Sequence, residues 1–99
     1  MKINVQSVGF KADIKLIDFI QTKLDKLDQY YDHVIDSDVY LKVNNTSAKE
    51  NKIVEIRVNV PGNDIPVKKE GATFEEAVDL CVDTLARQLR KRKEKVKGL

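Results

Sequence analysis

Tryptophan is absent from this 99-residue chain, and cysteine and histidine occur once each. With no partner for an internal disulfide, Cys81 makes a reducing cytoplasm the natural compartment. His33 has no second His, Cys or paired carboxylate at ligand spacing, so neither a metal site nor a general base is expected. The four glycines are scattered and form no phosphate-cradling loop. No apolar run approaches the roughly 18 residues of a membrane-spanning helix. Met1-Lys2-Ile3-Asn4-Val5 lacks the charged region and long apolar core of a secretory signal. The lack of tryptophan weakens any model built on base stacking. Nothing resembles a catalytic constellation, and no cofactor is expected.

What the chain does have is an uneven distribution of charge. From position 87 onward there are seven cations (Arg87, Arg90, Lys91, Arg92, Lys93, Lys95 and Lys97) and one anion, Glu94, a local charge of +6. The other 86 residues hold 11 Lys and Arg against 15 Asp and Glu, a charge of −4. The net +2 thus conceals a strong dipole. Such asymmetry points to a polyanionic partner, most often nucleic acid, with a solvated helix end as the plainer alternative.

Hydropathy patterning predicts four strands and two helices in a single domain. Residues 2–8 and 38–44 alternate, the latter with Val39, Leu41 and Val43 against Asp38, Tyr40, Lys42 and Asn44. In residues 53–60, Val54, Ile56, Val58 and Val60 face one way while Glu55, Arg57 and Asn59 face the other. Period-two alternation means one buried and one wet face. Pro61-Gly62-Asn63-Asp64 is a turn into a shorter strand near Ile65–Lys69, which Pro66 assigns to an edge. There Lys68 and Lys69 read as protection against edge pairing.

The first helix should run from an Asp13 N-cap to about Tyr31, with Ile17, Ile20, Leu24, Leu27 and Tyr31 as its core face. Asp18, Asp25, Asp28 and Asp32 form an acidic flank, and Lys15, Lys23 and Lys26 the opposite one. Thr73-Phe74-Glu75-Glu76 is a capping box, and Phe74, Val78, Cys81, Leu85 and Leu89 supply the second helix's apolar stripe. One of Tyr30 and Tyr31 should be core and the other a half-exposed anchor. The expected fold is α+β, in the order β-α-β-β-β-α. Strands one and two are parallel neighbours, the rest an antiparallel meander, and both helices pack on one face of the mixed sheet. A helix from 74 to about 96 spans roughly 34 Å, against about 23 Å for a seven-residue strand. About two turns, those carrying Arg87 to Lys97, should therefore overhang as a basic prong.

Several segments in order carry a resemblance to a known family. They are Lys23-Leu24-Asp25-Lys26-Leu27-Asp28-Gln29-Tyr30-Tyr31-Asp32, Val39-Tyr40-Leu41-Lys42-Val43, Glu70-Gly71, and Asp83-Thr84-Leu85-Ala86-Arg87-Gln88-Leu89 followed by Lys91, Lys93 and Lys95. Together they resemble the ribosome hibernation-promoting factors, also described as ribosome-associated inhibitors or sigma-54 modulation proteins, along essentially the whole chain. The resemblance implies a fold like a double-stranded-RNA-binding domain with an extra first strand. It also implies a bacterial stationary-phase or stress protein that occupies the messenger and transfer RNA channel of the small ribosomal subunit and of vacant ribosomes. Family RNA contacts would map onto Lys23, Lys26, Arg87, Lys91 and Lys95, with Arg90 and Lys93 beside them.

Two departures stand out. Thr73-Phe74-Glu75 replaces an acidic, a hydrophobic and an aromatic residue at the start of the second helix. The chain also stops at Leu99, resembling the short form without the dimerisation domain of longer members, and a free monomer is expected. Arg92 and Lys97 are secondary RNA-contact candidates. Lys42 and Arg57, on the wet face of the sheet, either extend the patch or pair across strands with Glu55. Two other readings stay open: a general double-stranded-RNA-binding module, and a protein-interaction modulator acting through the basic helix.

Overall fold

The computed structural model describes the backbone of residues 1–44 and 51–97, with side chains as far as Arg92. Strand β1 (Lys2–Val8) leads into helix α1 (Ile14–Asp25), which closes in a 3-10 turn over Lys26–Gln29. Strands β2 (Asp36–Val43), β3 (Lys52–Val60) and β4 (Asn63–Gly71) precede helix α2 (Phe74–Lys97). The sheet order is β1-β2-β3-β4, with β1 and β2 parallel and the remaining pairs antiparallel. This is the expected α+β arrangement. Pro66 lies on edge strand β4, opposite Arg57.

The alternating residues decide which face is covered. Val39, Leu41, Val54, Ile56, Val58, Ile65 and Val67 are buried beneath the two helices. Lys2, Asn4, Lys42 and Lys68 stand exposed on the other face. Helix α2 contributes Ala77, Val78, Cys81, Leu85 and Leu89, all at zero exposure. Cys81 donates its S–H to the Val54 carbonyl at 3.5 Å, and burial pushes its thiol up to about 11.

On α1 the buried residues are Leu16, Ile20 and Leu24, followed by Leu27 in the 3-10 turn and then Tyr31. Leu16 therefore takes the place expected for Ile17, which is half-buried. The two positions lie about 50° to either side of the stripe's centre at 100° per residue, so periodicity could not separate them. Packing separates them: Leu16 is on the side facing α2, Ile17 on the open side. The helix also ends earlier than expected, tightening into a 3-10 turn at Lys26 in a common form of helix ending.

Caps and turns follow their chemistry. The Asp13 side chain accepts from the Lys15 N–H at 3.1 Å. Thr73 Oγ1 accepts from the Glu76 N–H at 3.1 Å, while the Glu76 carboxylate accepts from the Ala72 N–H at 3.3 Å, one residue earlier than a strict capping box. Gly62 sits at φ 84° in the two-residue link between β3 and β4. At Gly71 a Cβ would sit 3.0 Å from the Ala77 amide nitrogen and 3.1 Å from the Thr73 carbonyl oxygen, so glycine lets β4 meet the first turn of α2 without crowding its backbone.

Strands β3 and β4 are nine residues each, about 30 Å, longer than the expected 53–60 and 65–69 and than the seven-residue strand behind the expected overhang. The overhang of α2 shrinks accordingly. Leu89 is fully buried, and Arg92 donates from its guanidinium to the Pro61 carbonyl at 3.1 Å. Only the five residues after Arg92, about 7.5 Å of helix, extend past that tie. Arg87 and Arg90 thus belong to the packed body, correcting the expected prong, and the side chains of Lys93, Lys95 and Lys97 lie outside the described residues.

The acidic flank of α1 has a partner of its own. The Met1 ammonium donates to Asp25 Oδ1 at 2.8 Å and to Asp28 Oδ2 at 2.9 Å, and Gln21 donates to the Met1 carbonyl at 2.7 Å. Hydrogen bonds to Asp25 and Asp28 raise the ammonium above its ordinary value of 8.0. The same ammonium, with Gln21, lowers Asp25 below its ordinary 3.8. A raised ammonium stabilises the fold fully below pH 8.0 and loses that effect as pH climbs through the shifted value. A lowered carboxyl stabilises above pH 3.8 and loses the effect as pH falls through its shifted value. The clasp is therefore complete between those limits. Asp25→Asn should lower the melting temperature at pH 6, with the gap to the unmodified chain narrowing as the pH climbs through the raised value of the ammonium. A gap unchanged at alkaline pH in thermal melts would show that the ammonium contributes nothing.

Candidate nucleic-acid interface

Helices α1 and α2 lie side by side on the sheet, and the furrow between them collects the charge. Lys23, Lys26, Arg87 and Arg90 line a groove of about 590 Å³, together with Tyr30 and the carboxylates Asp79 and Asp83. Residues separated by more than 60 positions meet here because each helix turns one flank toward the other. The sequence places Lys23 at the end of α1 three residues before Lys26 in the 3-10 turn, and Arg87 and Arg90 three apart on α2, so each pair lines the groove.

The cations are held by different means. Arg90 stacks its guanidinium over the Tyr30 ring, 4.4 Å from the centroid. That contact fixes a planar donor fork at the groove's edge while leaving its N–H groups free to meet phosphate. Lys23 Nζ lies 3.1 Å from Asp79 Oδ1 and 5.4 Å from the centre of the Phe19 ring. Arg87 donates to Thr84 Oγ1 on its own helix at 3.4 Å. Lys26 and Lys91 are exposed, with Lys91 on the outer side of α2 beside Arg87. Tyr31 is core and Tyr30 the half-exposed anchor, as their sequence context suggested.

Three candidates stand apart from the groove. Arg92 continues the apolar stripe of α2 beyond Leu85 and Leu89, so it points toward the body and is engaged by Pro61. Lys42 and Arg57 lie on the helix-free face of the sheet. The register sets Ile53 opposite Lys42 and Asp38 opposite Arg57, while Glu55 faces Tyr40 and Lys68. Neither cation is therefore directly across from Glu55, and neither extends the groove.

Asp79, Asp83 and Phe19 were not singled out from the sequence. Asp79 and Asp83 are four apart and share the flank of Arg90 at 100° per residue, so the stripe of α2 contained that signal. The groove is consequently mixed: four cations set against two carboxylates. A surface of this composition favours a phosphate backbone at its basic end and offers acceptors for amino groups near Asp79.

Comparison with known proteins decides the lineage. A family model described as sigma 54 modulation protein / S30EA ribosomal protein matches residues 3–97. The chain belongs to this family. A ribosome hibernation promoting factor of Klebsiella oxytoca is 32% identical over 97 residues, covering 98% of both chains. One of Escherichia coli K12 is 33% identical with the same coverage. A ribosome hibernation promotion factor of Bacillus subtilis is 32% identical over 98 residues, and the chain spans half its length. Among solved structures, a ribosomal subunit interface protein from Coxiella burnetii superposes with a TM-score of 0.83 at 26% identity, over 95% of this chain and 99% of that one. The N-terminal domain of Thermus thermophilus Protein Y gives 0.79 at 28% identity, over 92% and 98%.

The Lys23–Asp79 pair is half-exposed, and pairs of this kind contribute about 0–1 kcal/mol. Asp79→Asn should therefore shift folding stability by less than about 1 kcal/mol in urea titrations, while releasing Lys23 into the groove. A loss of several kcal/mol would mean that the pair is structural.

Proposed function

We propose that this protein is a cytoplasmic ribosome hibernation factor that binds the small subunit in the messenger and transfer RNA channel and silences translation by occupancy. The observation that carries this reading is the convergence of Lys23, Lys26, Arg87 and Arg90 on one inter-helical groove, in a member of this family. Residues 1–99 act as one ribosome-binding domain. The groove and the adjoining Lys91 present cations to converging ribosomal RNA backbones. The sheet, backed by its apolar core, supplies the bulk that keeps other ligands out. Few side chains here are placed to read base edges in a helix, so selection rests on shape and phosphate geometry. The protein is not an enzyme in this reading: no bond is made or broken, and inhibition lasts as long as the channel is filled.

Five cations neutralising phosphates would give a log–log salt slope of about −4 to −5 for small-subunit binding, on the coefficient for duplex DNA. Replacing both Arg87 and Lys91 by Ala should weaken co-sedimentation and flatten that slope by about 2. The melt should stay nearly unchanged, since alanine is a good helix former at these exposed positions. Wild-type affinity in the double variant, or co-sedimentation that survives nuclease digestion of the subunit RNA, would point to a protein partner instead.

Mutual exclusion has its own signature. Inhibition of in-vitro translation should be relieved by excess messenger and transfer RNA in proportion to their occupancy. A stable complex of small subunit, P-site transfer RNA and this protein at full occupancy would refute occlusion.

A further inference from the structure

At its other end the same furrow between the helices changes character. Phe10, Phe19 and Phe74, all the phenylalanines of the chain, gather there with Lys11, Lys15 and Glu75 around a cleft of about 580 Å³. It is an open depression of the surface, lined by ring faces and cations, and not an enclosed cavity. Phe10, from the β1–α1 loop, stacks on Phe74, from the first turn of α2, with centroids 5.1 Å apart and planes 20° from parallel. None of the three rings is fully buried, although the core beside them closes over Leu16 completely enough to leave it 8% exposed.

The aromatic cleft and the cationic groove are separate depressions bridged by Lys23. On α1, Lys15, Phe19 and Lys23 fall within about 80° of arc at 100° per residue, with Lys26 following in the 3-10 turn, so a ring is interleaved with cations along one side. Lys23 joins the two ends physically, with its Nζ over the Phe19 ring and paired to Asp79 across the furrow. Interleaved rings and cations along one track are the pattern by which proteins hold unpaired nucleotides, stacking the base and neutralising its phosphate.

We propose that this aromatic end takes a single unpaired base of the RNA bound in the cationic groove. The base stacks on Phe19 or on the Phe10–Phe74 pair, and Lys11 and Lys15 meet the flanking phosphates. Asp13, also at the rim, is occupied in capping α1 through the Lys15 N–H. Glu75 on the α2 side remains an acceptor for an exocyclic amino group. An apolar peptide would fill the cleft equally well by volume. It has no use for the line of cations that continues from Lys15 to Lys26, and this favours RNA. The proposal rests on the ribosome-binding reading and adds to it a contact that is selective for nucleotides outside a helix.

The test uses the full chain and vacant small subunits, with affinity measured across a salt series and base reactivity followed by chemical probing. Phe19→Leu keeps an apolar side chain on α1, and a melt verifies its fold. It should weaken binding about tenfold with an unchanged salt slope, because stacking releases no counterions. One unpaired base protected by the unmodified chain should regain reactivity while the rest of the footprint persists. Lys15→Ala, which leaves the aromatic packing untouched, should flatten the salt slope by about one. Full affinity in Phe19→Leu overturns the proposal and leaves the ribosome-binding reading standing. So does weakened binding with no base becoming reactive, the result expected of a peptide in the cleft. Failure of the unmodified chain to bind subunits overturns both.

Discussion

The apolar seam between α2 and the covered face of β3 and β4 sets the position of every charged group discussed above. Val78, Cys81, Leu85 and Leu89 press onto a surface built from Val54, Ile56, Val58 and Val67, and none of the four helix residues retains contact with water. Burial at roughly 25 cal/mol per Å² makes that seat far stronger than any surface ion pair in the molecule. Once the stripe is seated, the rotation of the helix follows, and with it the direction of each other side chain. Arg87 and Arg90 turn toward α1, Lys91 turns outward, and Arg92 returns to the β3–β4 link. Gly71 permits the seat by letting the strand approach the helix start without a side chain between them.

Charge is arranged on this frame by segregation. The acidic flank of α1 faces away from the furrow and takes up the Met1 ammonium, so Asp25 and Asp28 are engaged on the far side. The basic flank faces α2. Glu75 and Glu76 in the first turn of α2 agree with the helix dipole, and the Arg87–Arg92 segment lies in the C-terminal half of the same helix. The dipole visible in the composition is thus partly a property of one helix and partly of the rotation of another.

Most of the architecture was legible in the sequence because its elements carry clean periods. The strand alternation of residues 53–60, the Asp13 and Thr73 caps and the parallel crossover from β1 to β2 required only local chemistry and a handedness rule. What escaped were choices made by tertiary packing. Leu16 and Ile17 were symmetric about the stripe until α2 covered one side. The basic overhang was overestimated because β3 and β4 each extend to nine residues and because Arg92 is tied to Pro61. In the candidate interface, the cations were visible as a run, whereas Asp79 and Phe19 were not, since their part depends on what lies across the furrow.

Cys81 gives the fold a chemical quietness. With burial pushing the thiol up to about 11 and the sheet walling it in, the protonated form dominates at neutral pH. Thiolates are the species that peroxides and disulfides attack, so the one sulfur nucleophile of the chain is withheld from them. The fold thus presents no surface thiol that could age by oxidation. Oxidation of that sulfur has to wait for the seam between α2 and the sheet to open.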